Sequence, residues 1–409
     1  MNVCILGDGL TSLSLAKALI NLDINVDIIC DQKKHKSDKF RTIGLTPSNI
    51  DFFNKNILNI DRLLWRIQKI KIYSDNYQNK ELINFDNKNK HLFSIIRNEE
   101  LHKLLYTNLI QSKFFKFKKK LINSEYNLII NCDPKSSISK KFFFKNMKKN
   151  YYSFAYTTII EHEKMKTNNT AIQIFTKQGP LAFLPISNTK TSVVYSYIGK
   201  KINNIQELVN FYNKSYSIKK FNEFKVFELR SSNLRNYYHQ NILAFGDLLH
   251  RLHPLAGQGF NMSVRDIRQL VKIMQFKIDH GLDLDASVCI DFEKKTKHKN
   301  YLFSNSIDFV HEYFNLEHKM NTNLRYDVKA KTQLLANIQF VGDRDDLAGK
   351  GLVELSSYWL FDFRVSHQLS QSGMSLFGSI ENMFNADYEE VSGYTTRGRN
   401  LSIGVSYVF

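Results

Sequence analysis

The 409-residue chain is poor in the residues that brace small or secreted folds, with four cysteines (Cys4, Cys30, Cys132, Cys289) and five prolines. No two cysteines form a CxxC pair, which argues against a disulfide scaffold and a structural zinc site and fits a reducing cytoplasm. Long apolar runs are also missing. No stretch reaches the roughly 18 consecutive apolar residues of a spanning helix. Met1 leads straight into Val3-Cys4-Ile5-Leu6 without a charged, cleavable leader, so the expected location is cytoplasmic, at most peripheral to the inner membrane. Acidic residues are scarce, 39 against 57 Lys and Arg, for a net charge of +18. Such an excess can mark nucleic acid or anionic membrane as a partner. Here it falls in runs such as Lys116-Phe117-Lys118-Lys119-Lys120 and Lys140-Lys141, amid abundant Asn, Ile, Phe and Tyr. These runs read as solvated surface or as weak attraction to anionic headgroups. No nucleic-acid module is visible, and no such partner is expected. The 43% hydrophobic content and the length suit two or three domains with a sizeable core.

Composition changes near residue 318. Residues 1 to 317 carry 48 Lys and Arg against 29 Asp and Glu, whereas residues 318 to 409 carry nine against ten. All the prolines and cysteines precede His318, and eight of the 17 glycines follow it. Periodicity changes as well. Trp359, Phe361, Phe363 and Val365 alternate with Asp362, Arg364 and Ser366, and Leu401, Ile403, Val405, Tyr407 and Phe409 alternate with Ser402, Gly404, Ser406 and Val408. With Val328 to Val341 and Met374 to Met383, this predicts about four antiparallel strands. Ile380-Glu381-Asn382-Met383-Phe384-Asn385-Ala386-Asp387-Tyr388, then Gly393-Tyr394-Thr395-Thr396-Arg397-Gly398-Arg399 and the final strand, resemble the end of a TonB-dependent outer-membrane receptor. An ordinary soluble meander is the alternative. Four strands cannot close a membrane barrel, for which about eight is the minimum, and an open edge in lipid leaves backbone groups unpaired. The segment is therefore expected to be a fragment fused to an unrelated protein, by gene rearrangement or sequence assembly. A DNA read across codons 310 to 325 tests that.

In the first part, Val3-Cys4-Ile5-Leu6 reads as a buried strand, followed by Gly7-Asp8-Gly9-Leu10-Thr11-Ser12 and a helix to about Leu22. A second strand, Val26-Asp27-Ile28-Ile29-Cys30, ends at Asp31. In this arrangement Gly7 makes the tight turn, Gly9 lets the backbone meet a pyrophosphate, the helix N-terminus supplies N–H groups, and Asp31 accepts ribose hydroxyls. Ser12 stands where the third glycine of GxGxxG would be, and Asp8 adds a negative charge. An ordinary βαβ turn is the plainer reading.

Far downstream, Ile242-Leu243-Ala244-Phe245-Gly246-Asp247 reads as a second buried strand ending in Gly-Asp. It leads through Leu248-Leu249-His250-Arg251-Leu252-His253 into Pro254-Leu255-Ala256-Gly257-Gln258-Gly259-Phe260-Asn261, with a helix expected from near Met262. This stretch resembles the second FAD fingerprint of the single-component flavoprotein aromatic hydroxylases. The resemblance implies that Gly246 and Asp247 hold the ribityl chain and that Pro254, Gly257, Gln258, Gly259 and Asn261 pass along the flavin. A metal site on His250, His253 and Asp247 is disfavoured, because Pro254 and Gly257 break the helix and no third ligand is evident, so no metal is expected. The alternative for His253 is packing beneath the loop.

Other segments are similar to the same family in the same order. Arg41-Thr42-Ile43-Gly44-Leu45-Thr46 resembles its arginine segment, and Arg97, ahead of Leu101 and Leu104-Leu105, its pyrophosphate-flanking arginine. Either can be an ordinary surface arginine. Asn131-Cys132-Asp133-Pro134 resembles its Asp-Gly motif, with Asp133 matching and Pro134 in the glycine's place. Gln173 and Gly179-Pro180-Leu181-Ala182-Phe183-Leu184-Pro185 resemble the central sheet of the ubiquinone-biosynthesis ring hydroxylases, a family that normally continues into a helical C-terminus. A plain strand-turn-strand is the alternative.

The resemblance implies an α/β fold, with a Rossmann-like FAD-binding domain in residues 1–65, 95–150 and 236–317 and an inserted β-sheet substrate domain in 66–94 and 151–235. The antiparallel segment 318–409 would follow. It further implies an FAD-dependent monooxygenase in which NAD(P)H reduces the flavin and one oxygen atom of O2 passes to a phenol ring, for example a polyprenyl phenol of ubiquinone biosynthesis, with peripheral membrane or biosynthetic-complex association. A halogenase or polyprenyl reductase of the same fold is the enzymatic alternative, and a nonenzymatic receptor fragment is the alternative of another class. No general base is evident from the sequence, so the catalytic residues stay unassigned.

Overall fold

The structure is a computed structural model that describes residues 2–30, 41–74, 81–86, 91–251, 258–314, 319–329, 331–342, 344–348, 351–369, 374–390 and 396–407. The chain divides into two compact units, Met1–His311 and Glu312–Phe409.

In the first unit, the strand Asn2–Leu6 lies inside a six-stranded sheet, and Val3, Cys4 and Ile5 are fully buried. An unbroken apolar strand is what a parallel sheet covered on both faces requires. It pairs in parallel with Asn25–Ile29 on one side and Leu128–Asn131 on the other. Phe115–Lys118 and Ile242–Ala244 extend the parallel array outward, and Tyr238–His239 closes one edge antiparallel. The chain therefore moves away from the first strand in one direction and returns on its other side. Between Asn2–Leu6 and Leu128–Asn131 lies the switch point, where the loops leaving the strand ends diverge and open a crevice. The helix Leu10–Ile20 packs against the helices Asn98–Ile110 and Gln258–Asp279, so it is buried on several sides, as the spacing of Leu13, Leu15, Ala16 and Leu19 predicts.

A second sheet, of nine strands, runs from His250–Arg251 through Lys225–Leu234, Asn146–His162, Lys190–Ile198, Gly179–Pro185 and Thr170–Thr176 to Lys69–Ser74 and Glu81–Asp86, with Ile218–Phe221 beside Asn146–His162. Thr170–Thr176 and Gly179–Pro185 form an antiparallel hairpin that sets Gln173 opposite Ala182. The hairpin turns at Gly179, whose φ is +120° and where a Cβ would lie 2.1 Å from the Ser196 carbonyl oxygen, so no other residue fits there. A small third sheet joins Thr42–Leu45, Trp65–Ile67 and Phe93–Arg97.

The second unit holds a five-stranded antiparallel meander, Lys319–Lys329, Thr332–Val341, Tyr358–Leu369, Met374–Glu381 and Asn400–Tyr407, and a hairpin of Arg344–Ala348 with Gly351–Leu355. The sequence expectation of about four strands took Val328 to Val341 as one strand. The chain instead turns between Lys329 and Thr332, where no glycine or proline marks the bend. The register puts Ala336, Phe363, Ile380 and Leu401 in one row and Leu334, Val365, Gly378 and Ile403 in the next, all on one face. Asn337, Asp362, Arg364, Ser379 and Ser402 occupy the other face. Leu401, Ile403 and Val405 are 69%, 92% and 56% exposed, so the apolar face is uncovered there. Among the described residues no helix is long and apolar enough to cross a membrane.

Candidate functional site

The loops at the switch point meet through their glycines. Gly7 takes φ +91°, donates its N–H to the Ile29 carbonyl at 3.0 Å, and would place a Cβ 3.3 Å from Asp133 Cβ. Leu6 and Asn131 carry the ladder one step further, since their carbonyls accept from Cys132 N–H and Phe245 N–H at 3.0 and 2.9 Å. Gly246, at φ +61°, would place a Cβ 3.0 Å from Thr11 Cγ2, in the first turn of the helix Leu10–Ile20. Two loops more than two hundred residues apart in sequence are thus pressed together, and the positive φ at Gly7 and Gly246, with a close neighbour at each, favours glycine there.

Asp133 and Pro134 lie in a turn that the proline does not break. The Asp133 carbonyl accepts from Ser136 N–H at 3.3 Å and from Ser139 Oγ at 2.6 Å, while its carboxylate accepts from Lys135 N–H at 2.9 Å. Proline suits the position after Asp133 because its fixed φ matches the second residue of such a turn. Buried Asn131 braces the turn by donating to Ser136 and Ser139 hydroxyls at 3.1 and 2.8 Å. Ser12 is buried in the helix beside Cys132. Burial pushes the Cys132 thiol up to about 12; a hydrogen bond with Ser12 opposes this, and the charges of Asp247 and Asp133 add to it. Cys4 and Cys289 are raised to about 12 as well, again by burial first. In the unfolded chain these thiols ionise near pH 9, whereas in the folded chain they stay neutral to about 12. Their contribution to stability is present below pH 9 and declines from there towards 12. At about pH 8.5 the native chain is expected to leave all three unalkylated by iodoacetamide, which peptide mass mapping checks; rapid labelling of Cys132 would contradict it.

A second set of candidates gathers at the start of the helix Gln258–Asp279. Asn261 is 6% exposed; it donates through Nδ2 to the Gly44 carbonyl at 2.6 Å and accepts from Thr46 N–H and Asn49 Nδ2 at 3.1 and 2.9 Å. Its side chain ties the helix to the segment that follows Arg41. Arg41 itself is exposed, and its carbonyl accepts from Asn98 N–H at 3.0 Å. Arg97 lies across from Thr42 and pairs with Glu100 at 2.9 Å, while its buried Nε lacks a protein partner. Asp247 is exposed, and Gly259 has no protein atom within 4 Å of where a Cβ would stand. Asp31, Pro254 and Gly257 lie outside the described residues, as do His253 and the side chain of Gln258.

Sequence reasoning missed three elements of this arrangement. Thr11 is the surface against which Gly246 closes, and Asn131 is the brace behind Asp133. The third is a buried pair in which His250 Nε2 lies 2.5 Å from Asp266 Oδ2, both side chains being 1% exposed. Asp266 also accepts from Asn300 at 3.3 Å, and His250 Nδ1 is buried without a protein partner. No spacing rule marks an edge-strand histidine and a helix aspartate as partners. Among the described residues no cluster of metal-binding side chains occurs.

The residues present fit a bound dinucleotide. Gly9 begins the helix Leu10–Ile20 with no side-chain cap and no acid in the first turn, so the first N–H groups are left for an anion. A Cβ on Gly9 would meet nothing within 4 Å, so the protein's own packing does not explain that glycine, whereas a ligand would.

Residues 202–280 match the FAD binding domain family. The mitochondrial ubiquinone biosynthesis monooxygenase COQ6 of Schizosaccharomyces pombe is 25% identical over 248 residues, 48% of this chain and 52% of that protein. The chain spans about half the length of the curated relatives it matches. Among solved structures, Pseudomonas aeruginosa PqsL in complex with 2-aminobenzoylacetate superposes with a TM-score of 0.62 at 14% identity, covering 77% of this chain and 96% of that one. Klebsiella pneumoniae HpxO, complexed with FAD and uric acid, superposes with a TM-score of 0.60 at 12% identity, covering 77% and 89%. The fold is shared with these solved flavoproteins, and the family match within it is to an FAD-binding domain.

Proposed function

We propose that the first unit is an FAD-dependent monooxygenase that hydroxylates an aromatic ring, with NAD(P)H as reductant and O2 as the oxygen source. The observation that carries this reading is the closure of Gly246 against Thr11 beside the Gly7–Asp133 contact, which builds one cradle from two distant loops. FAD, when bound, supplies the redox chemistry and the activation of O2. Gly7, Gly9 and the uncapped helix N-terminus would take the pyrophosphate, with Ser12 packed beneath them. Asp133 and the exposed Asp247 would accept from hydroxyls of the ribose and ribityl chain. Asp31, Pro254, Gly257 and Gln258 are assigned to the same cofactor by the resemblance of their segments. Arg97, with its free Nε, and Arg41 would offset the cofactor's phosphate charge. Asn261 and Gly259 would orient the helix whose N-terminus favours negative charge on the reduced ring. The nine-stranded sheet would supply the wall over which the aromatic substrate lies and from which water is excluded.

The COQ6 relatives support an electron-rich phenol of the polyprenyl type, of the kind made in ubiquinone biosynthesis, as the substrate class. A soluble short-chain prenyl phenol should stimulate NADPH and O2 consumption and give a product heavier by one oxygen atom. NADPH oxidation without oxygen transfer, or reduction of a prenyl chain, would assign the site to another flavoprotein of this fold.

A second reading applies to the second unit alone and rests on its sheet. An antiparallel meander with one uncovered apolar face and one polar face has the pattern of an outer-membrane barrel wall, of the kind that ends TonB-dependent receptors. Among the described residues its five meander strands are fewer than the about eight that a closed barrel needs. Replacing Ile403 and Leu401 with aspartate should shift the chain from the detergent-requiring to the soluble fraction; an unchanged distribution would remove this reading.

A further inference from the structure

A second concave feature of the first unit lies away from the glycine loops. A cleft of about 830 Å3 separates the 233–238 segment from the helix Ala286–Phe314. Its floor includes Leu234 and Tyr237, each 3% exposed. Its walls are Met147, Ile290 and Tyr301, which remain 38%, 48% and 47% exposed, an unusual outlay of apolar surface in one place. Cations lie among them. Ile290, Lys294, Lys297 and Tyr301 follow an i, i+4, i+7, i+11 spacing, so one face of the helix presents to the cleft two basic side chains flanked by Ile290 and Tyr301. Lys297 is held by Glu293 at 2.5 Å, and Glu293 is the one carboxylate of the lining. Among the described residues, Arg235, Lys294 and His298 have no ion pair. The Arg235 N–H donates to the Lys145 carbonyl at 3.0 Å, which ties this segment to the strand that carries Met147.

A small anion would need only the cations, and an RNA strand would find no use for aliphatic walls. Cations set into exposed aliphatic and tyrosine surface match an amphiphile with an anionic head. We infer that this cleft is a docking surface for anionic phospholipid of a bilayer, with the headgroup phosphate on Arg235 and Lys294 and the upper acyl chain against Met147, Ile290 and Tyr301. The inference goes beyond the hydroxylase reading and does not rest on it, since none of these residues belongs to the flavin cradle. If both hold, the surface would bring the enzyme to the phase in which a prenylated phenol dissolves.

Vesicle flotation of the full chain tests it, using phosphatidylcholine vesicles with and without phosphatidylglycerol. Binding should be tighter to the anionic vesicles. Arg235→Gln with Lys294→Gln should weaken that binding about 30-fold, because each cation near an anionic surface contributes roughly tenfold or less, and should leave binding to pure phosphatidylcholine unchanged. The second measurement keeps any contribution of the exposed C-terminal sheet separate. Lys55→Gln with Lys103→Gln removes the same charge from two exposed helix positions elsewhere, and should cost no more than about threefold. Equal losses for the two pairs would mean diffuse charge attraction and overturn the proposal. Release of the vesicles by millimolar inorganic phosphate, or by polyuridylate acting through Arg235 and Lys294, would overturn it too and reassign the cleft to a free anion or to RNA.

Discussion

Gly9→Val should strip the chain of FAD while leaving its fold nearly untouched. Gly9 has φ −69° and ψ 173°, a conformation open to any residue, and a Cβ there meets no protein atom within 4 Å. The cost to the apoprotein should therefore stay within about 1 kcal/mol. If the pyrophosphate approaches this backbone, the valine occupies the ligand's space, and FAD affinity should fall at least about 100-fold, roughly 3 kcal/mol. Gly246→Val makes the useful contrast. Its positive φ and the 3.0 Å approach to Thr11 Cγ2 mean that the substitution damages both the protein contact and the cradle. Adding Thr11→Ala to Gly246→Ala should recover part of the loss, because it removes the nearest atom. Bound flavin per chain, read alongside a thermal melt, distinguishes these outcomes. A Gly9→Val chain that remains as yellow as the parent would contradict the placement of the pyrophosphate.

Asp266→Ala is expected to destabilise the first unit by about 3 to 5 kcal/mol, among the largest single-residue effects in the chain. The carboxylate is 1% exposed and serves His250 and Asn300 together, so its removal orphans two buried polar groups at once. His250 follows the Gly246–Leu248 turn, and Asp266 lies on the helix Gln258–Asp279. The pair therefore fastens the second glycine loop to the helix that the proposal places beside the flavin. Replacing both residues by apolar ones of similar size, as in His250→Phe with Asp266→Leu, should recover much of the loss. Chemical denaturation at equilibrium measures each variant. A single substitution costing less than about 1 kcal/mol would show that the pair is solvated and does not hold the loop.

Much of the cradle was legible in the sequence because its constraints are local. An unbroken apolar run at Val3–Leu6, glycines at positions 7 and 9, and a second apolar run ending in Gly246-Asp247 each predict a strand that ends in a turn at the sheet's edge. What joined them was not legible. Thr11 reads as an ordinary helix residue, and only the folded sheet order brings it to Gly246. Asn261 reads as part of a flavin-contacting segment, yet its side chain is spent on Gly44, Thr46 and Asn49, partners far away in sequence. Pro134 takes the place of a glycine in the motif, and the Asp133 turn accepts it because no positive φ is needed at that position. In the second unit, alternation gave the faces of the strands correctly, while the Lys329–Thr332 turn escaped because it lacks glycine and proline.

The central claim is that the two glycine loops form one FAD site. Titration of the purified full chain with FAD, followed by flavin fluorescence and by the melting temperature, tests it most directly. The account predicts saturation at one FAD per chain and a melting temperature that rises with ligand concentration, as expected for a ligand that binds only the folded state. A chain that melts cooperatively but leaves FAD fluorescence and its own melting temperature unmoved would contradict it.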